Sequence, residues 1–313
     1  MKKVAILATG GTIAGVGAAG ENLGYVSGQI AGSDLVAAVP EIRDYADVSV
    51  EQFCNVNSDD MTAELWLNLA RRIDEIAEND EVDAVVITHG TDTMDETAYF
   101  LSLTLRTDKP VILTGSMRPS TAKEPDGPAN LLGAVRAAVS FVVDDAEPEG
   151  GNVWVYFGEE LFDARRVQKC SASKLQPMEC DEECLPKEPP FFDITGLEEL
   201  PRVNVIYFGV DSDPRILEYA SSISDGLVIA GAGAGEFSLR LSEALSRVDI
   251  PVVVSSRINH GVVTLNKNLA KAPEGIARVA SGSLPPQKAA ILLRLALTQT
   301  KNPTKLRKLF ESA

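Results

Sequence analysis

Short β-branched runs alternate with segments of helical period along almost the whole chain, and the first, third and fourth runs break off into glycines and small hydroxyls. Strand, helix, strand in repetition buries its apolar faces by laying parallel strands side by side and packing helices across them. The early runs are "KVAILAT", "VSVEQFCNV", "DAVVITHG", "PVILTGS" and "NVWVYFG", and "VNVIYFGV", "GLVIAGAGAG" and "PVVVSSR" come later. Between them, Leu65, Leu69, Ile73 and Ile76 recur at helical spacing in "AELWLNLARRIDEIA". Met94, Ala98, Leu101 and Leu105 repeat the pattern after Thr93, whose spacing to Glu96 predicts a capping box. Asp126-Gly127-Pro128 reads as another helix start with Pro in the first turn, and a last helix is expected over "PQKAAILLRLALTQT".

The alternation is lost from Lys169 to about Leu200, a stretch rich in Pro, Ser and acid. The expected organisation is therefore an α/β chain of two domains. A larger N-terminal domain, residues 1–180, carries a mainly parallel sheet flanked by helices, a linker covers about 181–199, and a smaller C-terminal α/β domain covers 200–313. At 313 residues and 45% apolar, the chain has enough buried surface for both cores.

A formal net charge of −16 repels phosphate backbones and anionic lipid headgroups, and no long basic patch opposes it, so neither nucleic acid nor a membrane is an expected partner. No apolar stretch reaches the roughly 18 to 20 residues a spanning helix needs. The first strand begins at Lys3, which leaves no room for a signal peptide ahead of it. The reading is a cytoplasmic protein, the alternative being a periplasmic or secreted one whose signal has been removed.

Four cysteines are too few for a disulfide scaffold. Cys54 lies in a strand and is expected to be an inert core residue, whereas Cys170, Cys180 and Cys184 share a polar stretch as loop thiols or one local disulfide. "CDEEC" lacks zinc-site spacing, and only His89 and His260 could assist, so no metal is expected. "GVGAAG" at 15–20 has the letters of a dinucleotide fingerprint, but "ENLGYVSGQ" comes after it without helical period, so a loop or lid is the better reading.

The turns at the strand ends carry the chemistry. The first strand runs into Thr9, Thr12 and later Tyr25, the second into Asn57-Ser58-Asp59-Asp60, the third into "HGTDT" and the fourth into Thr114-Gly115-Ser116. In an open parallel sheet these turns share the carboxyl edge, where ligands bind. Any one of them could be an ordinary helix cap. A cap needs one such residue, however, and "HGTDT" supplies three in succession. With histidines so scarce, a Ser-His-Asp or Cys-His machine is disfavoured. The remaining option is a hydroxyl nucleophile activated by a tyrosine, a lysine of depressed pKa or a carboxylate. Thr12, preceded by Gly10 and Gly11, whose backbone can approach an oxyanion, suits that role.

These residues resemble the bacterial-type L-asparaginases, whose two signature segments stand here as "ILATGGTIAG" and "VVITHGTDTMDETA". The likeness continues through "NSDDMT", "LTGSMRPS", "DGPANL", "SSR" and "ASGSLPPQKAAILLRLALTQT", and weakens at about 171–190. The resemblance implies a two-domain α/β amidohydrolase, a homotetramer of intimate dimers, that converts L-asparagine to L-aspartate and ammonia without metal or organic cofactor. It implies Thr12 as nucleophile, Tyr25 as its base, Thr91 and Asp92 as a second reactive threonine and its neighbour, and Lys169 as their partner. Ser58 and Asp59 are implied as holders of the substrate's α-carboxylate and α-amino group, with Gly11 and Gly90 beside it.

The chemistry of an amide fits these roles, because transfer to a threonine followed by attack of water divides one difficult step into two. A zwitterionic substrate needs an acid for its ammonium and hydroxyl or amide donors for its carboxylate, which Asp92, Ser58 and nearby backbone supply. An amino-acid-binding protein would have no need of two threonines beside Tyr25 and Lys169. A tRNA-dependent transamidation subunit is opposed by the net charge. The nearest rival is a mixed glutaminase-asparaginase, since one methylene separates the substrates and is worth only about 1 to 3 kcal/mol in a pocket.

Two positions depart from the family. Asp59 stands where Gln or Glu is common, so its reach is shorter by a methylene. Glu236 stands after "GAG" where a small polar residue is usual, and Asn268 is an amide near where the family has an acid. The two are expected to act from the neighbouring subunit, with Glu236 taking over the carboxylate function. The alternative is that Glu236 is a surface residue and the site has one contact fewer.

Overall fold

The computed structural model describes residues 1–21, 24–143, 151–180, 189–264 and 272–313. The chain divides into two compact units, Met1–Asp181 and Glu182–Ala313.

The first unit is built on β1 (Lys2–Gly10), β2 (Ala46–Val56), β3 (Ala84–Thr88), β4 (Val111–Thr114), β5 (Val153–Phe157) and β6 (Glu160–Asp163). They form one sheet in the order β2-β1-β3-β4-β5-β6. All neighbours are parallel except the last pair, where β6 folds back antiparallel on β5. Helices α1 (Gly32–Ala37), α2 (Ala63–Ala77), α3 (Met94–Thr104) and α4 (Gly127–Val143) connect the strands. Because side chains alternate along a strand, each strand feeds two cores. Val4, Ile6, Val86 and Ile112 pack against Leu35 and Val36 of α1 and Leu131, Ala134 and Val135 of α4. Helices α2 and α3 pack against each other and against β3, β4 and β5.

The helical pattern read at 63–77 is α2, with Leu69 and Ile73 buried and Leu65 and Ile76 half-buried. Met94, Ala98, Leu101 and Leu105 are all buried. The capping box at Thr93 does not form: the Thr93 hydroxyl makes no cap bond to its own helix and donates instead to the Ser58 carbonyl at 2.6 Å. A donor spent across two turns is lost to the cap. Helix α4 starts at Gly127 with Pro128 in its first turn, as expected. The Asp126 carboxylate before it accepts from the backbone N–H groups of Met117 and Arg118.

A hairpin of β7 (Val167–Lys169) and β8 (Met178–Cys180) lies where the sequence pattern is lost. Two strands of three residues each are too short to display an alternation. Cys54 is half-buried on β2 rather than in the core. Its thiol is pushed up to about 11 by burial, and it donates to the Thr9 carbonyl at 3.4 Å. Cys170 and Cys180 are thiols and share no disulfide, and Cys184 lies outside the described residues.

The second unit holds β9 (Val203–Tyr207), β10 (Gly226–Gly231), β11 (Val252–Ser256) and β12 (Arg278–Ala280) in a parallel sheet ordered β12-β11-β10-β9. Helices α5 (Arg215–Ser222) and α6 (Leu239–Leu245) enclose a core of Leu217, Leu241, Leu245, Leu227, Ile229, Val252 and Val254. The long α7 (Pro286–Gln299) packs on β9, β10 and β11, and α8 (Pro303–Ser312) packs on β12.

Candidate active site

The turns after β1, β2, β3 and β4 meet at the carboxyl edge of the first sheet. Their approach is closer than side chains permit. A Cβ on Gly11 would stand 2.5 Å from both Cα and N of Gly90, and one on Gly90 would stand 2.8 Å from Ser58 Cβ and Oγ. Gly11 also has φ of +78°, a conformation that an L side chain strains. These two glycines therefore bring the "TGGT", "NSDD" and "HGTDT" turns into contact, and the next residues in line are Thr12 and Thr91. The threonines open short 3-10 turns, Thr12–Ala14 and Thr91–Thr93.

Thr12 Oγ1 lies 2.8 Å from the phenol oxygen of Tyr25. Tyr25 belongs to the segment between β1 and α1, several described residues of which are hydrogen-bonded to their surroundings. Val16 and Val26 exchange backbone hydrogen bonds at 2.9 Å, and Gly28 donates to the Gly11 carbonyl at 3.3 Å. Asn55 of β2 donates its side-chain amide to the Gly28 carbonyl. Thr121 accepts from Gly17 N through its hydroxyl and from Gly20 N through its carbonyl, each at 2.9 Å. Sequence reasoning missed Asn55, which reads as an ordinary polar position of the second strand, and Thr121, which reads as an ordinary loop residue.

Thr91 is buried. Its hydroxyl accepts from Lys169 Nζ at 2.8 Å and directs its own hydrogen toward Met117 Sδ at 3.5 Å. Lys169 Nζ also pairs with Asp92 Oδ1 at 2.6 Å. The lysine stem is largely covered while Asp92 is exposed, so the carboxylate has an open side for a second cation. Donating to both partners, Lys169 ties the Thr91 hydroxyl to the Asp92 carboxylate. Lys169 sits at the end of β7, where the hairpin delivers it to the third turn from 77 residues away in sequence.

Ser58 is buried, its Oγ accepts from Asp92 N at 3.2 Å, and its carbonyl takes the Thr93 hydroxyl. Its own hydroxyl hydrogen is not spent in either contact. Asp59 is exposed beside it. The structure thus brings Thr12, Tyr25, Gly11, Ser58, Asp59, Gly90, Thr91, Asp92 and Lys169 to one edge of one sheet. Glu236 belongs to the second unit, in the turn after β10, where its backbone exchanges hydrogen bonds with Ala232 at 2.7 and 2.8 Å. Asn268 lies outside the described residues. Among the described residues no cluster of His, Cys, Asp and Glu could hold a metal ion, and no helix is long and apolar enough to cross a membrane.

The family described as "Asparaginase, N-terminal" matches residues 3–184, and the one described as "Glutaminase/Asparaginase C-terminal domain" matches residues 202–310. L-asparaginase 2 of Escherichia coli is 38% identical, covering 99% of this chain and 93% of that protein. A probable periplasmic L-asparaginase of Haemophilus influenzae has the same identity and the same coverage of each chain. The crystal structure of a probable cytoplasmic L-asparaginase from Campylobacter jejuni matches with a TM-score of 0.90 and 36% identity over 100% of both chains.

Proposed function

We propose, since the chain belongs to the asparaginase family, that it hydrolyses the side-chain amide of L-asparagine to L-aspartate and ammonia through a threonine acyl-enzyme. The single observation that carries this reading is the pair of differently equipped threonines side by side, one hydrogen-bonded to a phenol and the other to a lysine-carboxylate pair.

In this reading Thr12 Oγ1 attacks the amide carbon, and its proton passes by way of Tyr25 to the leaving nitrogen, which departs as ammonia. Water then attacks the ester, Thr12 recovers its proton and aspartate leaves. Thr91 is the second reactive hydroxyl, polarised by Lys169, while the Lys169 ammonium offsets charge that develops beside it. Ser58, Asp59 and the backbone at Gly11 and Gly90 hold the α-carboxylate and α-amino group. Asp92 adds a second contact for the ammonium. Glu236, with Asn268, is assigned to the site of the neighbouring subunit, with Glu236 supplying the displaced carboxylate. Glu236→Gln is then expected to raise the KM for asparagine with kcat little changed; an unchanged KM refutes that assignment.

The reading extends to the whole protein. Residues 1–180 form the catalytic domain, about 181–199 the linker and 200–313 the second domain, in a homotetramer of intimate dimers. The exposed Val205, Tyr207, Val210, Ile216 and Tyr219 give the second unit an apolar surface suited to a second copy of the chain. The reading keeps the cytoplasm as its compartment, with a periplasmic or secreted form as the alternative.

Ammonia release from asparagine and glutamine side by side, with and without hydroxylamine, tests the reaction. Asparagine is expected to be the better substrate, and added hydroxylamine to divert product to the aspartyl hydroxamate. Equal or greater kcat/KM for glutamine would favour the mixed enzyme, and no hydroxamate would count against the acyl-enzyme.

A further inference from the structure

Behind the "HGTDT" turn lies a chain of polar groups with no part in the reaction just described. Trp66 Nε1 donates to Thr97 Oγ1 at 2.9 Å, Thr97 Oγ1 lies 3.1 Å from His89 Nε2, and His89 Nδ1 lies 2.7 Å from the Gly90 carbonyl oxygen. His89 and Thr97 are completely buried and Trp66 nearly so. The chemistry of these groups dictates where the hydrogens are. A carbonyl oxygen only accepts, so Nδ1 carries the imidazole hydrogen. An indole N–H only donates, so the Thr97 oxygen accepts from Trp66 and its single hydrogen serves His89 Nε2. Every donor and acceptor in the chain is then paired in one arrangement, with the ring neutral. Burial favours the neutral ring further and lowers the His89 pKa to about 4.

The far end of this chain is the residue that precedes Thr91. Position 90 cannot carry a Cβ, because Ser58 stands in the way. A glycine is the least stiff residue available, however, and a misplaced reacting group costs heavily in rate. Catalysis at Thr91 needs its backbone held, and the crowding at Ser58 requires the residue least able to hold it. The Gly90–Thr91 peptide is trans, so its carbonyl and N–H point in opposite directions. Anchoring the carbonyl inward on the imidazole fixes the plane, turns the Thr91 N–H away from the core and sets where the Thr91 side chain begins.

We infer that His89 is a positioning residue for the hydrolysis: its neutral Nδ1–H, oriented by Thr97 and Trp66, clamps the Gly90 carbonyl and so holds Thr91 at its working place beside Lys169. The inference rests on the reading of Thr91 as a reacting hydroxyl.

His89→Phe keeps the bulk and removes the donor, whereas His89→Asn restores an N–H near the position of Nδ1. The first is expected to lower kcat for asparagine by about 10- to 100-fold with KM within about 3-fold, because only the Gly90 contact is loosened while Ser58, Asp59 and Gly11 still hold the substrate. The second is expected to recover most of the loss. Full kcat in His89→Phe, or an Asn variant as slow as the Phe variant, would overturn the positioning role. Thr91→Ala assayed alongside separates the two levels: an active Thr91→Ala removes the site reading itself, while an inactive one beside a fully active His89→Phe removes only the clamp. Should His89→Phe not fold, nitrogen NMR of the ¹⁵N-histidine-labelled unsubstituted protein decides, since the chain has only His89 and His260. A neutral His89 ring protonated at Nδ1 from pH 6 to 8 supports the clamp, and a proton on Nε2 in that range overturns it.

Discussion

Gly11 and Lys169 mark the two extremes of what could be read residue by residue. Gly11 is conspicuous in "TGGT", and the structure gives it two reasons to be glycine, a positive φ and a neighbour that leaves no room. Gly11→Ala is expected to cost roughly 3 kcal/mol in denaturant unfolding and to depress kcat, because the obstructing atoms are backbone and cannot swing aside. Lys169 has no local signature. Its meaning lies in a contact across 77 residues, and only the family resemblance pointed to it. Lys169→Met is expected to lower kcat by about 100-fold or more with a smaller effect on KM; a kcat within about 3-fold of the original would remove it from the chemistry. His89 was legible only as a histidine too isolated to form a triad. Its depressed pKa has a thermodynamic consequence. Below pH 6.5 the unfolded chain binds a proton that the folded ring resists until about pH 4. Folding stability therefore falls as pH drops from about 6.5 toward 4, by up to roughly 3 kcal/mol from this group. His89→Asn should flatten that part of the curve in urea titrations across this range.

Among the elements, those with a strong period could be read and those specified by tertiary contact could not. Helix α2 has its apolar residues at helical spacing, with Thr62 capping it by accepting from Leu65 N. Thr62→Ala is expected to cost about 1 kcal/mol, measured by urea unfolding. The Thr93–Glu96 spacing signalled the same motif, but the Thr93 hydroxyl is engaged by Ser58 from another turn, which no local pattern records. Strands β6, β7 and β8 escaped notice because they are short and pair antiparallel outside the repeating unit. In the second unit, the start of β12 carries a device equally invisible in one dimension. Buried Arg278 donates to the carbonyls of Leu245, the last residue of α6, and of Val248 just beyond it, and to those of Ile250 and Ala277. Desolvation lowers its pKa to about 10, and it still serves as a multiple donor where a helix ends. Arg278→Ala is expected to destabilise the protein by roughly 3 kcal/mol or more, with Arg278→Lys recovering only part, because one ammonium cannot span the same carbonyls.

For the molecule as a whole, the alternation of strands and helices was enough to anticipate a parallel sheet with its loops converging at one edge, and the residues in those loops narrowed the chemistry to a hydroxyl nucleophile. The topology supplies what the linear order lacked: β1 lies between β2 and β3, so the turns carrying Thr12, Ser58 and Thr91 are neighbours although they are spread over 80 residues. Assembly is the property that the full set of surfaces decides. Light scattering is expected to give four times the chain mass, and Tyr219→Glu, which places a charge in the exposed apolar surface of the second unit, to shift the protein toward smaller species. The reading of the chemistry depends on a threonine presented by the first turn reacting with the amide, and steady-state ammonia release from asparagine by Thr12→Ala is the decisive assay. A fall in kcat of about 1000-fold or more is expected in a protein that remains folded; turnover within about 10-fold of the unsubstituted enzyme would refute Thr12 as the nucleophile.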